Sequence, residues 1–156
     1  MTEKNATVVQ IKGNTYAAKA DSNHWVVMDT KPRGGGHGAG SSPKELLLFA
    51  IGGCTSSDVV SILQKKRLDV KHYEIHLSAK ERDEHPRIFT EVHMEYVFYG
   101  DNLNEQDIEK AIELSTTKYC GVSAMVESTV KLTHSYRIEP ADQMPVTAEQ
   151  TAVNNN

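Results

Sequence analysis

The sequence predicts an α+β fold, with helices packed on a mostly antiparallel sheet and one long helix buried at its centre. Two observations carry that prediction. Stretches of alternating apolar and polar residues are interleaved with stretches of helical spacing, in the order β-β-β-α-β-β-α-α-β. One of the helical stretches is apolar on every face through its first half, Leu46 to Gly53, and such a helix is buried on every face.

The first strands are "ATVVQIKG", "NTYAAKA" and "HWVVMDT", separated by the turn residues Gly13-Asn14 and Asp21-Ser22-Asn23. The glycine-rich "KPRGGGHGAGSS" follows. It invites comparison with a phosphate cradle, but it lacks the lysine of that motif and is expected to be a flexible lead-in loop, with His37 solvated. Ser42 as N-cap, Pro43 at the first helical position and Glu45 as the far half of a capping box then open a helix expected to run to Lys66 or Arg67. One small sheet cannot cover such a helix, so a partner subunit is expected to help.

In "KHYEIHLSAK", Tyr73, Ile75, Leu77 and Ala79 alternate with polar residues; in "RIFTEVHMEYVFYG", Ile88, Val92, Met94, Tyr96 and Phe98 share the buried face. His72 and His76 fall on the polar face of a strand, which argues against a metal site there. Asn104 caps a second helix with Ile108, Ala111, Ile112, Ser115 and Tyr119 at helical spacing. "KYCG" interrupts it, a short helix restarts near Val122, and "STVKLTHSYRIE" closes the fold with Val130, Leu132, Tyr136 and Ile138 inward and His134 in the core. One domain is expected over residues 1–139, with a disordered tail over 140–156.

Composition narrows the function. The chain has 156 residues, 17 basic and 21 acidic, for a net charge of −4. There is no basic stripe interleaved with aromatics, so no nucleic-acid partner is expected. No apolar leader and no uninterrupted apolar run of about 20 residues is seen, so neither a membrane partner nor export is expected, and a cytoplasmic location is the reading. Two cysteines are too few for a closed four-ligand zinc site, so no metal is expected, and a structural disulfide does not suit a reducing compartment.

The two cysteines differ in setting. Cys54 lies about three turns into its helix, beyond the helix dipole, among apolar residues and one turn before Asp58; all three features oppose a thiolate. Gly52 and Gly53 beside it each cost roughly 1 kcal/mol against alanine, so something must approach closely there. Cys54 can be either a packed small residue or a reactive thiol. Cys120, at a helix break near Lys118, is the better placed of the two for a thiolate.

The string "SPKELLLFAIGGCTSSDVVSIL", with "KYCGVS" and "THSY" downstream, resembles the OsmC/Ohr family, in its branch with a Gly-Gly-Cys helix. That resemblance implies an intertwined homodimer. It implies a thiol peroxidase in which Cys54 takes the peroxide oxygen and Cys120 resolves the sulfenic acid, reversing the local ranking. Organic hydroperoxide is the implied substrate, an external dithiol the reductant, and no cofactor is implied. The family's helix glutamate maps to Lys44, with Glu45 one place on, and the first arginine of the chain is Arg33; these three are the candidate supporting residues. The alternative is a non-catalytic or redox-sensing dimer that binds a hydrophobic small molecule around Cys54.

Overall fold

The computed structural model describes residues 1–145. The chain forms two compact units, Met1–Phe49 and the remainder from Ala50. The expected tail begins with a single turn of 3-10 helix at Ala141–Gln143, and Ala141 donates its amide to Asp101 Oδ1. Its later part lies outside the described residues.

In the first unit, β1 (Ala6–Lys12), β2 (Thr15–Ala20) and β3 (Val26–Met28) form an antiparallel sheet in sequence order. Gly13 makes the β1–β2 turn with φ +56°, a conformation glycine adopts without steric cost. The sheet carries apolar side chains into solvent: Val8 and Ile11 are 60% exposed and Trp25 is 55% exposed.

The glycine-rich segment is a hydrogen-bonded surface loop, mostly exposed, and His37 is exposed within it as expected. Asp29, 2% exposed at the end of β3, gathers it. Its carboxylate accepts from the amides of Thr30 (2.6 Å), His37 (3.1 Å) and Ala39 (3.0 Å) and from Thr15 Oγ1 (2.9 Å). His37 is tied in as well, with Nδ1 3.0 Å from Thr15 Oγ1. At Gly36 a Cβ would stand 2.0 Å from the Thr30 carbonyl oxygen, so no larger residue fits. The amides that might have cradled a phosphate are thus taken by the protein's own carboxylate.

Helix α1 (Pro43–Lys65) begins as its capping box predicts: Ser42 N donates to Glu45 Oε2 at 2.6 Å, and Glu45 N donates to Ser42 Oγ at 3.3 Å. By length and composition alone α1 could cross a membrane, although the uninterrupted apolar run within it is too short. Its buried residues, Ile51, Gly52, Thr55, Val59 and Leu63, form one stripe. The expectation of burial on every face holds for that stripe alone. Phe49 is 57% exposed, and Ala50, Gly53, Ser57 and Ser61 line an exposed, uncharged face.

The second unit has its own sheet. β4 (His72–Glu81) and β5 (Phe89–Tyr99) pair antiparallel, as the alternation predicts. β6 (Lys131–Glu139) pairs with β5 in parallel, so the one mostly antiparallel sheet expected is in fact two, the second of them mixed. The parallel pairing needs a crossover. It is built from α2 (Glu105–Leu114), a π-helical turn at Ser115–Tyr119, and α3 (Gly121–Val126). Asn104 caps α2, its side chain accepting from Asp107 N at 3.1 Å.

β5 supplies much of the core: Val92, Tyr96, Val97 and Phe98 are fully buried, and Met94 nearly so, with Ile108, Ala111 and Ile112 of α2. Three expected core residues lie outside it. Ile88 precedes β5 and is 37% exposed. His134 is exposed on the edge strand, its ring edge-on to Tyr96. Tyr119 is 51% exposed, because the wide π turn breaks the helical spacing that would have brought it inward.

Candidate functional site

The site is built in the second unit by α1 and the crossover. α1 offers Cys54 and, one turn later, Asp58. The π turn ends in a bond from Cys120 N to Ser115 O (2.9 Å), which seats Cys120 as N-cap of α3. The Sγ atoms of Cys54 and Cys120 and a carboxylate oxygen of Asp58 all lie within 4.8 Å of one another. Both thiols are reduced; Cys54 is half-buried and Cys120 is 4% exposed.

The Val122 amide faces Cys54 Sγ and acts to lower its pKa. Ser123 donates to Cys120 Sγ twice, from its hydroxyl at 3.0 Å and its amide at 3.4 Å. Ser115 Oγ donates to Asp58 Oδ2 at 3.0 Å. Since Ser115 has a single hydroxyl proton, its 2.9 Å contact with Thr55 Oγ1 must be donated by Thr55. The 2.6 Å contact between Thr55 and the Tyr96 hydroxyl must then be donated by Tyr96. Three buried hydroxyls thus form a one-way chain of donors ending on Asp58. Thr55, Ser115 and Tyr96 are each 1% exposed or less, and this chain satisfies them all.

The electrostatics at Cys54 run against easy ionisation. Burial, the largest influence, pushes its thiol up; the Val122 amide pulls it down, and Cys120 and Asp58 push it up again. Tyr96 is likewise raised, by burial first.

Gly52 is explained by close packing within this unit. An added Cβ would lie 2.7 Å from Leu77 Cδ1 of β4, so the helix sits against the sheet. At Gly53 no described residue lies within 4 Å of an added Cβ. The other sequence candidates, Arg33, Lys44 and Glu45, belong to the first unit. Arg33 lies in a 3-10 turn at Pro32–Gly34. The Glu45 carboxylate is held by Ser42, whose hydrogen bonds depress its pKa. His72 and His76 each turn a ring nitrogen to Glu74, at 3.0 and 2.8 Å.

Sequence reasoning paired the two cysteines but missed their donors and the hydroxyl chain. Polar Thr55 and Ser115, each standing where a helix presents its apolar stripe, were the available signal. Asp29 had a signal too, as an acidic residue closing a strand before a run of glycines.

Two thiols face to face on a helix and a π-turned crossover, beside a mixed sheet, define a paired-cysteine α+β protein. The chain belongs to the OsmC-like protein family, whose model matches residues 36–135. It is 39% identical over 136 residues to Protein YhfA of Escherichia coli K12, covering 87% of this chain and 98% of that one. A hypothetical protein from Aquifex aeolicus VF5 has a similar crystal structure, at TM-score 0.79 and 35% identity, covering 90% of this chain and 98% of the other. The organic hydroperoxide resistance protein OhrB of Bacillus subtilis shares the fold at TM-score 0.62 and 10% identity, over 87% of this chain and 98% of that one.

Proposed function

We propose that this protein is a thiol-dependent peroxidase that reduces organic hydroperoxides and works as a cytoplasmic homodimer. The observation that carries the reading is the Cys54–Cys120 pair, with sulfurs near enough to close to a disulfide by side-chain rotation and small backbone adjustment. Kinship with proteins named for organic hydroperoxide resistance supports the choice of substrate.

Cys54 is the more accessible sulfur and meets the peroxide first. Its thiolate attacks one peroxide oxygen, the O–O bond breaks, and the alkoxide leaves as alcohol after taking a proton. Cys54 is left as sulfenic acid. Cys120 sulfur then attacks Cys54 sulfur, the S–O bond breaks, water leaves and a disulfide remains. An external dithiol returns both thiols by exchange. The Val122 amide, already aimed at Cys54 Sγ, favours the charged form. The positive charge that steers the peroxide is assigned to Arg33 or Lys44 of the partner chain, while Glu45 keeps its cap on Ser42.

The homodimer is supported by the uncharged face of α1 through Ala50, Gly53, Ser57 and Ser61 and by the exposed apolar residues of β1.

Intact mass after a stoichiometric dose of an alkyl hydroperoxide tests the cycle. The expected result is loss of two hydrogens in the wild type and one added oxygen on Cys54 in Cys120→Ser. Thiols that stay unmodified over minutes would overturn the reading.

A further inference from the structure

We propose that reduced Cys54, Asp58 and Cys120 form a three-ligand site for a thiophilic divalent cation, with zinc as the natural occupant and a fourth position open to water. The inference uses the thiols of the proposed peroxidase but does not rest on peroxide chemistry. Among the described residues, these three form the group of cysteine, histidine and acidic side chains close enough to share an ion.

Four-coordinate zinc places thiolate sulfurs about 2.3 Å and carboxylate oxygens about 2.1 Å from the metal, which separates tetrahedral ligands by roughly 3.5–3.8 Å. The three ligand atoms already stand within 4.8 Å of one another, so closing on the ion takes movements of about 1 Å or less. Two sulfurs and one oxygen suit zinc better than magnesium or calcium, which take oxygen donors. The earlier expectation of no metal came from counting ligands for a closed structural site; three protein ligands with an open position are the pattern of a reactive one.

Outer donors support the assignment. Two of the proposed ligand atoms already receive a hydrogen bond: Cys120 from Ser123, and Asp58 from Ser115, itself braced by Thr55 and Tyr96. Such contacts orient ligands and spread the negative charge of two thiolates. Binding is written as one divalent cation plus two thiols giving one bis-thiolate complex and two protons, with the Asp58 carboxylate as third ligand.

The test is cobalt(II) titration of the full chain, kept reduced by a reductant that does not bind metal, in the absence of peroxide. Expected are one equivalent bound, the intense visible bands of four-coordinate cobalt, a sulfur-to-cobalt charge-transfer band, two protons released, and displacement by zinc. Cys54→Ser and Cys120→Ser should each abolish the charge-transfer spectrum of the wild type. Asp58→Ala should weaken binding, with Asp58→Asn used if circular dichroism shows the alanine variant unfolded. Ser115→Ala should weaken it about 10- to 100-fold. Absence of stoichiometric binding in the reduced wild type would overturn the proposal, as would a spectrum unmoved by loss of Cys120 or of the Asp58 carboxylate. The mass experiment on metal-free protein is scored separately, so the two readings fail independently.

Discussion

Replacing each of the two adjacent glycines of α1 with alanine separates what packs inside one chain from what packs between chains. At Gly52 the new methyl meets Leu77 Cδ1 at 2.7 Å, about 1 Å inside the ordinary carbon–carbon separation. Overpacking of this kind costs about 1–3 kcal/mol. The helix gains roughly 1 kcal/mol from losing a glycine, and the Leu77 tip can turn partly aside. The net is a loss of about 0–2 kcal/mol, or a melting temperature lower by up to roughly 8 °C for a chain of this size. At Gly53 the described residues present no obstacle, so the monomer alone would gain roughly 1 kcal/mol. If this face meets a second copy, the same methyl separates the two helices, and dissociation should strengthen at least about tenfold, equivalent to about 1.4 kcal/mol. Urea unfolding gives the first quantity and sedimentation across a dilution series the second. A Gly53→Ala protein that is more stable and dimerises as before would refute the assignment of this face to the dimer.

Other expectations concern the loop and the hydroxyl chain. Although burial is the largest influence on Asp29 and acts to raise its pKa, its hydrogen bonds, led by the Ala39 amide, hold it at about 2 against an ordinary 3.8. A depressed folded pKa means stability present above 3.8 and lost as pH falls toward 2. Melting curves between pH 5 and 2 should therefore lose part of their slope in Asp29→Asn; an unchanged profile would contradict the role given to Asp29. Thr55→Val and Tyr96→Phe should each cost about 1–3 kcal/mol, and the double variant less than their sum, because Thr55→Val strands the Tyr96 hydroxyl and the second change removes that stranded group. Strict additivity in denaturant unfolding would show that the two hydroxyls do not cooperate.

Much of the local architecture was legible in the sequence because its signals are local. Ser42 and Glu45 cap α1, Asn104 caps α2, and the alternation in β4 and β5 gives the face each buries. What was not legible depends on non-local partners. Nothing in the apolar pattern of β6 says that it lies parallel to β5, and the π turn that swings Tyr119 outward follows from how Cys120 is seated. The cysteine pair was legible through resemblance, whereas local chemistry alone preferred Cys120. That Cys54 is half-buried and Cys120 almost fully buried is set by tertiary packing. Asp29 escaped notice because an acidic residue near glycines reads as solvent-facing, whereas four donors converge on it.

The place of β5 in its sheet bears on how the protein is made. One neighbour, β4, precedes it in the chain, while the other, β6, is the last strand among the described residues. While translation continues through the crossover, one edge of an apolar strand is held open on the ribosome, available to any other extended chain. Both cysteines also leave the ribosome before the strand that completes the second sheet. A chain that stops before Glu139 would therefore be lost chiefly to aggregation during synthesis, with its thiol chemistry never tested.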